Sequence, residues 1–94
     1  MPTYIMLSNL TDDGAKAVKK NPNRIKEVNK EIEKLGVRVM AQYAVLGPYD
    51  FVNIVEAADN ATVARVSAEL ASRGSIKLTT LPALDIDAFI ASLR

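Results

Sequence analysis

The stretch Val37-Arg38-Val39-Met40-Ala41-Gln42-Tyr43-Ala44-Val45-Leu46-Gly47-Pro48-Tyr49-Asp50-Phe51-Val52-Asn53-Ile54-Val55-Glu56-Ala57 holds two β-prone runs around a four-residue break. β-Branched and aromatic residues fill both runs, and Gly47-Pro48-Tyr49-Asp50 between them is built of turn formers. The pattern predicts a strand over residues 37–46, a tight turn, and a strand over residues 51–57. Together they make a hairpin.

Upstream of the hairpin, Ile25, Val28, Ile32 and Leu35 recur at spacings of three, four and three, one apolar face of a helix. Asn21-Pro22 reads as its N-cap and first position, and Gly36 as its terminator. Further upstream, Thr3-Tyr4-Ile5-Met6-Leu7-Ser8 is a first strand, and Thr11 caps a short helical segment reaching Lys20. Downstream, Asp59 caps a helix carrying Val63, Val66 and Leu70, closed by Gly74. Ser75 to Leu81 forms a fourth strand stopped by Pro82, and Asp85 opens a last short helix with Phe89, Ile90 and Leu93. The order β-α-β-β-α-β with a C-terminal helix is the split-βαβ, ferredoxin-like α+β pattern. Right-handed crossovers then set both helices on one face of a four-stranded antiparallel sheet. All 94 residues fit one domain, 1–94.

Composition narrows the chemistry. The chain has no Cys and no His, which removes disulfides, thiol nucleophiles, Cys/His zinc sites and imidazole acid–base catalysis. No catalytic group, metal site or cofactor is assigned. Asp12, Asp13, Asp85 and Asp87 sit where helix starts favour carboxylates and not as a ligand set. A net charge of +1 gives no overall attraction for nucleic acid or anionic lipid. Residues 15–38 hold eight cations against three carboxylates, a net +5 that leaves −4 for the rest. No aromatic side chains interleave with that stripe, so it reads as a solvated helix face and not a nucleic-acid platform. Neither a membrane-spanning run nor a secretory leader shows, and a cytoplasmic location is expected.

Period-two alternation splits each strand into two faces. Ile5, Leu7, Val37, Val39, Val52, Ile54, Ile76 and Leu78 are expected to meet the helices. Tyr4, Met6, Ser8, Met40, Gln42, Ala44, Phe51, Asn53, Val55, Lys77, Thr79 and Leu81 are expected on the other face. That second set carries one charge among its twelve members, too apolar for open solvent. Two covers fit: the C-terminal helix folded back, or a second copy packed sheet to sheet. A roughly ten-residue tail spans only part of such a sheet, which favours a homodimer or larger homo-oligomer. Polar Gln42, Asn53, Ser8 and Thr79 on that lining suggest a small-molecule pocket between sheet and partner. Gly47, Tyr49 and Asp50 would clamp its edge, with turn N–H groups for a carboxylate, Asp50 for an amine and Tyr49 as a wall. The competing account is structural: Asp50 fixes the turn and Tyr49 packs on the tail. Tyr4 completes the candidate ligand set. A Tyr4/Lys77 pair acting on an enolisable ketone is the weaker, catalytic alternative.

The opening Met1-Pro2-Thr3-Tyr4, the Leu10-Thr11-Asp12 turn, Asn21-Pro22-Asn23-Arg24-Ile25, the hairpin Leu46-Gly47-Pro48-Tyr49-Asp50-Phe51-Val52 and Thr79-Thr80-Leu81-Pro82-Ala83 together resemble the GYD-domain family. The resemblance implies a subunit of the dimeric α+β barrel type, which accords with the partner-covered sheet face. It implies little about chemistry, because that superfamily spans haem enzymes, cofactor-free oxygenases, isomerases and ligand sensors. Gly47-x-x-Asp50-Phe51-x-x-x-Val55 more distantly resembles the hairpin of the Lrp/AsnC effector-binding domain. There the turn lies near a small-molecule site at a subunit interface. No helix-turn-helix segment precedes the first strand here, so DNA reading would need another protein. The function expected from all this is a homo-oligomeric small-molecule-binding module. Its alternatives are a cofactor-independent isomerase, cyclase or oxygenase using the same cavity, and a purely structural assembly protein.

Overall fold

A computed structural model describes residues 1–94. The chain runs β1 (Thr3–Leu10), α1 (Asp12–Lys20), α2 (Arg24–Lys34), β2 (Arg38–Ala44), β3 (Phe51–Glu56), α3 (Asn60–Ser72), β4 (Ile76–Ala83) and α4 (Ile86–Ser92). The four strands form one antiparallel sheet in the order β2-β3-β1-β4, the α+β arrangement that the hairpin and its flanks predict. No helix is long and apolar enough to cross a membrane.

Most element ends follow from local chemistry. Thr11 caps α1 by accepting the Gly14 N–H at Oγ1, and Asp12 and Asp13 occupy the first turn, where the helix dipole favours carboxylates. Asp59 caps α3 through the Thr62 N–H, and Asp85 caps α4 through the N–H groups of Asp87 and Ala88. Strand ends shift by one or two residues from the sequence pattern, β1 running on to Leu10 and β2 closing at Ala44 instead of Leu46, and two residues expected to mark boundaries act otherwise. Asn21 is not the cap of α2: its N–H ends α1 on the Ala17 carbonyl, and α2 begins only at Arg24. Here Pro22 sits in the turn joining two helices, where its fixed φ serves equally well. Pro82 does not stop β4, which runs on to Ala83. The strand lies at the sheet edge, where a missing N–H can point away from the ladder.

The core gathers Tyr4, Met6, Val55 and Val37 from the sheet side against Ile32 of α2 and Val63, Val66 and Leu70 of α3. This overturns the face assignment for the central strands. Tyr4, Met6, Ser8, Phe51, Asn53 and Val55 turn towards the helices, whereas Ile5, Leu7, Val52 and Ile54 line the opposite face in direct cross-strand pairs. Alternation separates two sets of residues but does not say which set the helices cover. Several polar groups on the helix side find partners there. The Tyr4 hydroxyl donates to Asn60 Oδ1 at 2.7 Å, and Ser67 and Thr80 share a hydroxyl bond of 2.8 Å. Strand β2 escapes strict alternation through a bulge between Val39 and Ala41. The extra residue lets both Val39 and Gln42 face the helices and leaves Met40 exposed. In β4, Ile76 and Leu78 face inwards and Lys77, Thr79 and Leu81 outwards, as the alternation predicts.

Helix α4 does not fold over the open face. None of its residues is buried, and Ile86, Phe89, Ile90 and Leu93 all remain exposed. The molecule measures 51 × 29 × 19 Å, so its long axis exceeds the sheet and helix layers it comprises.

Candidate functional site

The Gly47–Asp50 turn closes on itself and on β1. Val45 donates its N–H to the Asp50 carbonyl at 2.9 Å, and the Asp50 N–H donates to the Ser8 carbonyl at 2.9 Å. Asp50 Oδ2 then accepts the Leu10 N–H at 2.8 Å. That bond does not go to the turn's own N–H groups, as the sequence suggested, but across to the end of β1. The β1–β3 ladder stops at Ser8 opposite Phe51, because the chain bends away there. The Asp50 carboxylate supplies the acceptor that the next strand residue would have given, so it stitches hairpin to sheet. Gly47 has φ +107°, a conformation that side chains disfavour, and open space surrounds the position of an added Cβ. Tyr49 is half-buried beside it, and Leu46 is 99% exposed.

The other candidate residues divide between the two faces of the sheet. Tyr4, Gln42 and Asn53 lie beneath the helices. Thr79 lies on the open face opposite Leu7. The seven residues Gly47, Tyr49, Asp50, Tyr4, Gln42, Asn53 and Thr79 therefore do not converge within one subunit. Tyr4 and Lys77 occupy opposite faces as well, which removes the pair as a joint acid–base unit.

The open face is apolar along both diagonals. Ile5 faces Ile54 on one side and Leu81 on the other, Leu7 faces Val52 and Thr79, and Ala41 and Tyr43 extend the rows across β2. Met40, Tyr43 and Leu81 are 49%, 60% and 43% exposed. Charge enters only at the margins, through Arg38 opposite Glu56 and through Lys77. With the uncovered apolar residues of α4, this surface is far from what an isolated soluble domain presents.

Beneath the helices lies a second feature, a cavity of about 190 Å³ between the α1–α2 pair and the sheet. Met6, Phe51, Ile25, Val28 and Leu78 give it apolar walls, and Ser8, Asn53 and Gln42 enter from the strands. Gln42 and Asn29 bond one another reciprocally, at 2.7 and 3.2 Å. Asn53 Oδ1 is buried with no partner. At the margin, Glu31 bridges Arg24 at 2.8 Å and Arg73 at 2.6 Å, tying α2 to the end of α3. The hydrogen bond from Arg73, then that from Arg24, hold the Glu31 carboxyl below its ordinary value, and Glu31 raises Arg73 in return. Sequence reasoning missed this cavity, because its polar residues had been placed on the opposite face.

Comparison with known proteins agrees with the geometry. The GYD domain profile matches residues 4–93. A Thermus thermophilus protein named glutamine synthetase and cystathionine beta-lyase binding protein is 65% identical over 95 residues, covering all of both chains. The crystal structure of TTHA0845, also from Thermus thermophilus, aligns with a TM-score of 0.59 and 25% identity, over 90% of this chain and 95% of that one.

Proposed function

Since the chain belongs to the GYD-domain family, with a full-length relative named for the enzymes it binds, we propose that it is a protein-binding module that docks on metabolic enzymes. Glutamine synthetase and cystathionine β-lyase are its first candidate partners. The apolar sheet face flanked by an uncovered α4 carries the assembly half of this reading, and the relative's name together with the exposed Leu46 hairpin carries enzyme docking. Single soluble domains seldom leave contiguous apolar patches beyond a few hundred Å² or so without a partner protein to cover them.

A second copy of the chain covers the sheet face in this reading. Two such faces pack as an aligned sandwich, Ile5, Leu7, Val52 and Ile54 interdigitating with their counterparts, which is a self-complementary contact. The Leu46–Asp50 hairpins stay at the rim of the pair and, with their exposed turn and Leu46, are available to an enzyme. Self-association and enzyme docking are thus assigned to different parts of the surface.

The test is a biosensor titration of purified glutamine synthetase and cystathionine β-lyase over the immobilised protein, with native mass spectrometry of the protein alone. Saturable binding of either enzyme and an even-numbered oligomer support the reading. Absence of both interactions at tens of micromolar or so would overturn it. Ile54→Lys separates its two halves: an enzyme-binding monomer would place docking outside the sheet face, and loss of both would make assembly a prerequisite.

A further inference from the structure

We propose that α4 is an exchanged arm, which leaves its own subunit and clasps the β2 edge of a second copy over that copy's Arg38 and Met40. The inference rests on the sheet-to-sheet pair proposed above and assigns α4 a place in it.

The arm has no cover within its own chain. Ile86, Phe89, Ile90 and Leu93 recur at spacings of three, one and three, so they share one helix face, and they are between 43% and 71% exposed. α4 makes no extended contact with any other element. The radius of gyration is 14.1 Å, where a compact chain of this length has about 12 Å. A seven-residue helix does not hold its shape alone in water, so α4 needs a surface that one subunit does not offer. The sheet face also leaves room for it. Four strands of six to eight residues make a footprint of about 450 Å². A stable pair takes about 600–1,000 Å² from each partner, so the arm brings the contact into range.

Strand register says where the arm arrives. Arg38, Glu56, Thr3 and Ala83 form one row across the end of the sheet, with Arg38 on one edge strand and Ala83 on the other. A two-fold axis along the strands lays β4 of one copy over β2 of the other and keeps this row at the same end of both. The arm leaving Ala83 then meets Arg38 and Met40 of the second copy. Met40 is lifted out by the bulge and exposed, an apolar contact for Phe89 and Ile90. Asp87 flanks the apolar stripe, and neither it nor Arg38 has an ion pair in its own chain, so the two complement each other. An axis across the strands would instead bring the arm to the Arg73-Gly74-Ser75 turn and Lys77, where no exposed apolar side chain receives it. Within one chain the contact is out of reach, since β2 and β4 stand three strand spacings, about 14 Å, apart.

The chain has no cysteine, so a disulfide can report the contact without interference. The double variant Met40→Cys/Phe89→Cys is oxidised, and its products are resolved on non-reducing gels and by peptide mass spectrometry. A covalent pair joined from position 40 of one copy to position 89 of the other is expected. The same link formed within one chain would mean that α4 folds back on its own sheet, and it overturns the arm. A link between copies in Phe89→Cys/Lys77→Cys, in place of the first, overturns the β2 edge as its seat. Native mass spectrometry of the unaltered protein separates the two readings. A monomer overturns the sheet pair and the arm together, whereas an even-numbered oligomer without the 40–89 link overturns the arm alone. Phe89→Ala/Ile90→Ala should raise the dissociation constant of the pair at least about thirtyfold, as loss of an interface anchor does. An unchanged constant overturns the arm, and loss of glutamine synthetase binding at that unchanged constant would make α4 an enzyme-docking helix instead.

Discussion

Replacing Asp50 by Ala removes one hydrogen bond of 2.8 Å, from the Leu10 N–H to a carboxylate oxygen. Bonds to charged groups contribute about 1.5–3 kcal/mol when well shielded, and less where water can replace the lost partner. Asp50 is exposed, so water reaches the freed Leu10 N–H and the cost falls to about 1 kcal/mol. The two backbone bonds of Asp50, to Val45 and Ser8, survive the change and keep the hairpin closed. In a domain of 94 residues such a loss lowers Tm by about 4–8 °C. Asp50→Asn keeps an acceptor without the charge and should lose about half as much. The assay is urea unfolding at matched protein concentration, because oligomerisation makes apparent stability depend on concentration. If Asp50→Ala unfolds within a few tenths of a kcal/mol or so of the wild type but no longer binds glutamine synthetase, the stitching role is refuted. Asp50 would then be a contact residue for the partner.

Gly14→Ala should destabilise by about 2–4 kcal/mol despite the better helix propensity of Ala. A Cβ there would sit 1.9 Å from the Ser75 carbonyl oxygen, and α1 cannot withdraw without breaking the bonds from Thr11 to Gly74 and Ser75; a variant as stable as wild type in urea would contradict that close packing. For pH, the Glu31 carboxyl is lowered by Arg73 and Arg24, so its contribution is present above the ordinary carboxylate range and is lost as pH falls through its depressed folded value. Glu31→Gln should therefore flatten the acid limb of stability, read by thermal melts from neutral pH downward, and an unchanged acid limb would count against the bridge. Truncation after Ala83 removes α4, which buries none of its residues within its own chain. Chemical unfolding of a dissociated subunit should then change by less than about 0.5 kcal/mol, while sedimentation should show a weakened oligomer.

The sequence made the order of elements legible because periodicity, caps and turn residues are local signals. Thr11, Asp59 and Asp85 announce helix starts through their own side chains, and the hairpin is contained in one contiguous stretch. What stayed hidden depends on contacts between distant elements. Tyr4 and not Ile5 meets the helices because Ile32, Val63, Val66 and Leu70, far along the chain, pack on that face, and Asn60 offers its Oδ1 to the Tyr4 hydroxyl there. The aliphatic purity of Ile5, Leu7, Val52 and Ile54 looked like the signature of a helix-covered face, yet it marks the face that no helix of this subunit covers. The bulge at Met40 hid a further shift, since one extra residue reverses the facing of everything beyond it. The cavity followed the same error. Its polar members were recognised as a set, but on the wrong side of the sheet.

The two faces now present opposite unmet demands, and this makes them separable. The open face lacks cover for apolar surface and needs no hydrogen bonds, so only a broad apolar partner satisfies it. The helix side is covered, and Asn53 Oδ1 is buried there without a partner. Asn53 and Ile54 are consecutive residues on β3 that point to opposite faces. A charge at Ile54 should break assembly while the helix-side core stays packed, because that core lies across the sheet from it. Asn53→Leu should leave the oligomer its size, because this side chain lies on the helix side of the sheet. If Asn53→Leu dissociated the oligomer without unfolding the chain, the sheet would be transmitting one face to the other, and the assignment of separate roles to its faces would fail.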